Sequence, residues 1–490
     1  MTRLLRVRTG RALHLALGTT AALAAIVILR TAILQLPLSG VGTVAALVTF
    51  AGLTVLAVLA PRRLLSAGFV YGLMLCLFHL SIPILRTFGA AMPVRYSAYI
   101  NSWFELSYAT EAVYLSLLSF TALTTAFAWV QVFRQRTAEP GDEPAPPVAP
   151  HGFAWTGAGL VIAGVAGYLG VLGLHAPELL AGGTYRRYLD TVGGSAAIAG
   201  CTLLVAIGLC VASASGRSRA RAVAWQAFGL FALITMSFGS RTAAMFAAVA
   251  GAVVVAATAR RVPRTRIAVG IILGALLSIT VVQQVRDTGV SSTTVTSVSI
   301  NPVGSLAETG GTVRTVAEVV KWRRTYQEPP YKGITYAAPV LRLWERLTGQ
   351  PRPEGFEDRR YAGVLLNQRV PEYQLGFSPV AEAFLNFGTI GVLLIFAAFG
   401  VLLGVFDARR LGHLGAARLG VCMYVLAYTV RNASNFVPIT LAAGFLIIWL
   451  ANRLVARPAA SGSEPTDGRP GSAKSFVRKH ELKPDLSRVA

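Results

Sequence analysis

The chain has 490 residues, of which 54% are hydrophobic and 14% charged, against about 25% charged in soluble domains. A mean hydropathy of +0.57 excludes a soluble globular protein. The net charge of +23 would suit nucleic acid, yet the cations sit in short loops between apolar runs. No nucleic-acid partner is therefore expected.

The apolar excess falls in runs of roughly 17–25 residues, enough to cross about 30 Å of hydrocarbon as a helix. In chain order they cover 12–33, 41–60, 65–85, 108–131, 153–173, 194–214, 223–238, 242–258, 267–283, 379–405, 417–431 and 434–452. The fold expected is an all-α polytopic membrane protein with about twelve transmembrane helices, since lipid offers the backbone no other partners. Ten-residue alternating strands of the outer-membrane barrel kind are absent. The run from Ala12 to Leu29 is too long for a signal peptide and lacks a cleavage site, so it reads as the first membrane helix. Cys76, Cys201, Cys210 and Cys422 all lie inside apolar runs and read as small buried hydrophobes.

Orientation follows from the positive-inside rule. One set of short loops carries runs such as Arg3, Arg6, Arg8 and Arg11, Arg260, Arg261, Arg264 and Arg266, and Arg409 and Arg410. The other set carries only Arg86, Arg95, Arg186, Arg187, Arg241 and Arg431. Both termini are thus expected on the cytoplasmic side.

The expected organisation is an N-terminal membrane block (1–136) of four helices, a Pro-rich cytoplasmic linker (137–151) and a middle block (152–283) of five helices. A large extracytoplasmic loop (284–378), a C-terminal block (379–456) of three helices and a disordered cytoplasmic tail (457–490) follow. The loop is too long for a structureless connector. Its aromatics, Trp322, Tyr326, Tyr331, Tyr336, Trp344, Phe356, Tyr361 and Tyr373, are interleaved with Arg and Glu, a mixture suited to sugars. Gly400 and Gly404 spell a GxxxG, more often plain packing than an association motif in a glycine-rich chain.

Five polar clusters fall at the outer edge of the membrane, where ionisable residues are costly and so mark function. In Gly182–Asp190, Arg186 and Arg187 stand beside Tyr185 and Tyr188 and could clamp a diphosphate or serve as snorkelling anchors. Ser237–Arg241 is a tight hairpin with a lone Arg241, whose partner must come from another helix, the large loop or an anionic ligand. Gln283–Asp287 carries Arg286, and Arg431–Asn435 joins the last two helices. In Ser378–Gly388, Glu382 and Asn386 are spaced i, i+4 and share one helix face. Glu382 there would be a salt-bridge partner or a general base. The midplane positions are plain Ala, Val, Leu, Gly and Ile, unlike a transporter. No P-loop, GxGxxG or HExxH signature occurs.

The segments GGTYRRYLD (182–190), FGSR (238–241), YKGITYAAPVLRLWER (331–346) and GFSPVAEAFLNFGTIGVLLIFAAFGVLLG (376–404) resemble bacterial O-antigen and oligosaccharide repeat-unit polymerases of the Wzy type. The resemblance covers roughly residues 40–455. Related ligases share the layout, but their large loop usually offers a histidine, and 284–378 contains none. The resemblance implies a GT-C-like glycosyltransferase in the plasma membrane of a bacterium. It would move a polyprenyl-diphosphate-linked glycan onto a lipid-linked repeat unit at the outer face. Arg186, Arg187, Arg241, Arg286 and Arg431 would then stabilise the diphosphate, with Asn386 beside them. Glu382 leads as base, with Glu308 and Asp190 behind it. No metal motif is visible on the outer side, so neither metal nor cofactor is expected. A basic tail would allow contact with a chain-length regulator. The alternatives are an O-antigen-ligase-like transferase and a transporter or flippase of lipid-linked oligosaccharide.

Overall fold

A computed structural model describes residues 2–60, 63–92, 94–137, 150–175, 188, 191, 195–216, 218–259, 265–288, 301–350, 359–370, 376–408 and 411–455. Most of the expected linker and all of the expected tail lie outside these residues. The first nine helices are α1 (Thr2–Ile28), α2 (Arg30–Gln35), α3 (Leu38–Leu59), α4 (Ala67–His79), α5 (Ser81–Thr87), α6 (Val94–Phe104), α7 (Ser107–Thr137), α8 (His151–His175) and α9 (Ala196–Ser213). They are followed by α10 (Arg219–Ser237), α11 (Thr242–Thr258), α12 (Thr265–Thr288), α13 (Pro302–Gly310) and α14 (Thr312–Thr325). The last five are α15 (Ile334–Leu347), α16 (Ala362–Arg369), α17 (Pro379–Ala408), α18 (His413–Thr429) and α19 (Val437–Val455). No strand occurs among the described residues.

Eight of these helices are long and apolar enough to span a membrane, or nine if the bent pair α4–α5 forms one span. Thr242–Thr258 and Thr265–Ser278 are apolar but shorter. The span count among the described residues is therefore eight or nine by length and hydropathy, fewer than the expected twelve. Phe50, Val58, Leu233 and Ile390 stay exposed on the outside of the bundle, as lipid-facing side chains do.

Helix α7 is the central mast. Its membrane window is 83% buried, against 22–56% for the other candidate spans, and α1, α3, α14 and α17 all pack on it. A helix hydrophobic on every face belongs inside a bundle. Several of the hydroxyls it carries are quenched within its own backbone: Ser116 donates to the Ala112 carbonyl, Thr121 to Leu117 and Thr124 to Phe120, while Thr125 donates to the Thr19 carbonyl of α1. On α17, Gly400 and Gly404 face α7. A Cβ on Gly400 would lie 2.3 Å from the Leu123 carbonyl oxygen, and Gln131 donates to the Gly404 carbonyl at 3.0 Å. The GxxxG is thus a packing seam within the chain.

Two helix breaks shape the end of the bundle that holds residues 301–378. Between α4 and α5 the chain bends by 63°; Pro83 in the first turn of α5 lacks the N–H that would continue the ladder. Within α17, Gly388 adopts φ 67°, ψ −157°, a conformation essentially restricted to glycine. That break takes the carbonyls of Leu385 and Asn386 out of the helical ladder. They accept instead the amides of Tyr331 and Lys332, both at 3.1 Å. At the opposite end of α17, buried Asp407 accepts the amides of Ala67 and Gly68 at 3.0 and 2.9 Å and so caps α4.

The described residues of 301–378 are therefore built into the bundle. Helix α14 packs on α7 and α17 and buries Val313, Val316, Ala317, Val319, Val320 and Trp322.

Gly400→Ala should weaken the fold by about 1–3 kcal/mol, the usual cost of forcing an extra carbon into a packed seam. Gly159→Ala, where an added Cβ meets nothing within 4 Å, should be neutral. Thermal unfolding of the two purified variants measures the difference.

Candidate functional site

Four of the expected outer clusters can be followed through the described residues. The hairpin after α10 turns at Gly239, whose φ is 75°; the amides of Gly239 and Ser240 bond back to Met236 and Thr235. The turn delivers Arg241 to the start of α11. Its partner comes from the large loop: Glu308 on α13, with Nη1 to Oε2 at 3.2 Å and Nη2 to Oε1 at 2.7 Å. Two parallel bonds of this kind are the strongest geometry open to a guanidinium and a carboxylate. Both side chains are largely buried, 10% and 15% exposed. Helix α13 is set by Pro302 in its first turn and by the Asn301 side chain, which accepts the Gly304 amide.

The GGTYRRYLD segment reaches the same place through Tyr188. Its ring stacks on Phe238 of the hairpin at 5.7 Å and 5°, and its hydroxyl lies 3.2 Å from that of Tyr168. Arg186, Arg187 and Asp190 lie outside the described residues, as does the side chain of Arg286.

The returning chain forms a second knot. Ser378 caps α17, its Oγ accepting from the amides of Val380 and Ala381. The same Oγ lies 2.7 Å from Nε2 of His79, whose Nδ1 is 3.2 Å from the Leu75 carbonyl. A carbonyl can only accept, so Nδ1 carries the proton and the serine donates to Nε2. Glu382 is 1% exposed; its two oxygens accept from the Ser434 amide at 2.9 Å and the Ser434 hydroxyl at 2.7 Å. Thr335 is a further hydrogen-bond partner. Asn386 donates to Thr335 Oγ1 at 2.7 Å and accepts the Gly333 amide at 2.9 Å. Thr315 donates to the Gly376 carbonyl at 2.8 Å. Arg431 runs beside Gly376, where an added Cβ would sit 2.3 Å from the Arg431 carbonyl oxygen.

The structure thus joins Arg241 to Glu308, links Glu382 and Asn386 by hydrogen bonds to 333, 335 and 434, and sets Arg431 against Gly376, which is bonded to Thr315. It does not pair Glu382 with an arginine among the described residues; its bonding partners are hydroxyls and an amide.

The aromatics of the loop divide. Trp322 and Tyr331 are buried, Trp322 beneath the Arg369 guanidinium at 4.5 Å. Tyr336 stacks on Phe387, while Tyr326 and Trp344 are exposed. Phe356 and Tyr373 lie outside the described residues. Burial, with Glu328 beside it, pushes the Tyr331 phenol up to about 12, so it stays protonated and donates to Glu328 at 3.3 Å.

Sequence reasoning missed His79 and Glu111. Each is a single ionisable residue within an apolar run, and that isolation was the available signal. It also missed Arg314 and Glu318, an i, i+4 pair at 3.6 Å buried on α14, with Arg314 over the Tyr99 ring at 4.7 Å. Among the described residues no three His, Cys, Asp or Glu side chains converge as a metal-binding set.

Comparison with known proteins gives these elements a family. A family model described as O-antigen polysaccharide polymerase Wzy matches residues 184–457, which include the hairpin, the large loop and the α17 knot. Protein CapE of Staphylococcus aureus is 27% identical over 147 residues, 30% of this chain and 32% of that protein. The alignment thus reaches about a third of the curated relative's length. No solved structure matches. The family match takes in more than half of the chain, and its polar anchors are those the fold gathers at one end of an apolar bundle: the chain belongs to the O-antigen polysaccharide polymerase Wzy family and is an integral membrane protein.

Proposed function

We propose that the chain transfers a polyprenyl-diphosphate-linked glycan onto a lipid-linked repeat unit at the outer face of a bacterial plasma membrane. The end of the bundle carrying Arg241 and Glu308 is then the outer end. The observation that carries the reading is this pair: a forked guanidinium and a carboxylate, largely buried at the mouth of an otherwise apolar bundle.

In the reaction the bond from the donor sugar C1 to the diphosphate oxygen breaks and a bond from C1 to the acceptor hydroxyl oxygen forms. The hydroxyl proton passes to a carboxylate, and the lipid diphosphate leaves with the electron pair. In this reading Arg241 and Arg431, together with Arg186, Arg187 and Arg286 from the sequence expectation, supply the positive field for the leaving group. Of the two candidate bases among the described residues, Glu308 retains 15% side-chain exposure and has its two oxygens on Arg241, whose turn toward the diphosphate would free them for the hydroxyl proton; Glu382 is sealed and spends both oxygens on Ser434. Glu382 and Asn386 hold the loop and the last hairpin in register, and Asp190 is the alternative base. Exposed Trp344 would stack on the glycan.

Arg241→Ala should reduce surface polysaccharide to single repeat units while the protein remains in the membrane; Arg241→Lys, which keeps charge but loses the fork, should give shortened chains. Glycan length by gel, beside membrane abundance by immunoblot, reads both. Long polymer in Arg241→Ala would dismiss the site, and lipid-linked units trapped on the cytoplasmic face would point to transport.

Glu308→Gln should slow polymerisation by about 10²–10⁴-fold, the usual contribution of a general base, with unfolding temperature little changed. Glu382→Gln should do the reverse, lowering stability by about 1–3 kcal/mol as Ser434 loses its charged acceptor. Purified variants assayed for chain extension and thermal unfolding separate the roles; equal losses of activity at unchanged stability would make Glu382 the base.

A further inference from the structure

A second basic site lies on helices that the Arg241–Glu308 pair does not touch. Glu111, near the start of α7, is almost fully buried, with a 2% exposed side chain. Two arginines from distant parts of the chain meet it. Arg30, just after α1, reaches Oε1 at 3.1 Å, and Arg324, at the end of α14, reaches Oε2 at 2.7 Å. Each guanidinium spends one terminal nitrogen on the carboxylate. Their side chains remain 42% and 53% exposed.

One buried carboxylate needs one cation to be neutralised, so this arrangement holds a surplus positive charge at the surface. A guanidinium has five N–H donors in a rigid fork; Glu111 accepts a hydrogen bond from Arg30 and holds Arg324 as an ion pair, so the two cations sit side by side with most of their donors open. Two neighbouring guanidinium groups match the two phosphate groups of a diphosphate. The neighbourhood matches the rest of such a lipid. Val27, Ile28 and Leu29, immediately before Arg30, are exposed and apolar, a lipid-facing surface on which an isoprenoid chain can lie. Tyr326, two residues after Arg324, is exposed and can stack on the first sugar.

We propose that Arg30 and Arg324, fixed by Glu111, form a second isoprenoid-diphosphate site that shares no residue with the Arg241 cluster. The assignment rests on the proposed polymerase reading, in which two lipid-linked substrates are held at once, one as donor and one as acceptor. It adds α1, α7 and the end of α14 to the substrate-binding surface.

The test measures binding of geranylgeranyl diphosphate to the full chain in phosphatidylcholine nanodiscs by native mass spectrometry. Wild type should take two molecules per chain. The triple variant Arg30→Gln, Glu111→Gln, Arg324→Gln leaves no stranded buried charge; it should take one, with affinity at the other site down by about ten-fold or more. Arg30→Lys with Arg324→Lys should bind at intermediate strength. Geranylgeraniol should not compete, and inorganic diphosphate should.

An unchanged stoichiometry in the triple variant overturns the proposal. So does displacement of the probe from this site by phosphatidylglycerol at equal headgroup concentration, which would make it a phospholipid contact. If wild type binds no probe but the Arg241→Ala polymer phenotype holds, this site fails and the polymerase reading stands. If the site binds as expected but Arg241→Ala leaves polymer length unchanged, the site stands and that reading fails.

Discussion

A helix that stops inside an apolar bundle leaves carbonyls and amides that lipid cannot satisfy, and most of the polar chemistry of this molecule answers that constraint. Gly388 interrupts α17, and the amides of Tyr331 and Lys332 take up the carbonyls it frees. The bend between α4 and α5 brings His79 against Ser378. Ser378 in turn caps α17, and Asp407 caps α4 from the other end of that helix. The breaks fall where the large loop enters, so repairing the backbone and docking the loop are one event. A loop joined by these bonds is held in one geometry against the bundle, as the proposed transfer between two lipid-linked substrates would require.

Charge is distributed by the same economy. The chain carries 45 Lys and Arg against 22 Asp and Glu, and the buried carboxylates near the loop are met either by arginine or by hydroxyl and amide donors. Where one carboxylate meets one arginine, as at Arg241–Glu308, the two charges form a directional pair. Where one meets two, as at Glu111, a net positive charge is left over. Where the donors are neutral, as at Glu382, the anion is locked into structure. Three carboxylates thus take three characters from the partners the fold assigns them.

The apolar runs, the family resemblance and the outer clusters were all legible in the sequence, because hydrophobic length and isolated charge are local properties. The partner of Arg241 was legible only as a short set of options, since nothing in the spacing of 241 and 308 says that they meet. The partner of Glu382 was harder: an acidic residue at the mouth of a membrane helix reads as a salt-bridge partner or a base, and nothing in the spacing points to Ser434, 52 residues further on. The packing of α14 into the bundle was hidden as well. Its Arg314, Glu318, Lys321, Arg323 and Arg324 give it the polarity of a surface helix, while Arg314 and Glu318 bury each other. The break at Gly388 could not be read either, because one glycine in a long apolar stretch is usually tolerated within the helix.

The clasp between Glu382 and Ser434 has a consequence for biosynthesis. The chain emerges from its N-terminus, so α17 enters the membrane before its partner at 434 exists. Until the hairpin that follows α18 has been made, the Glu382 carboxylate has neither of its Ser434 donors and cannot be buried without a substantial penalty. The end of the bundle that holds Glu382 consequently closes only after residue 434 has been synthesised.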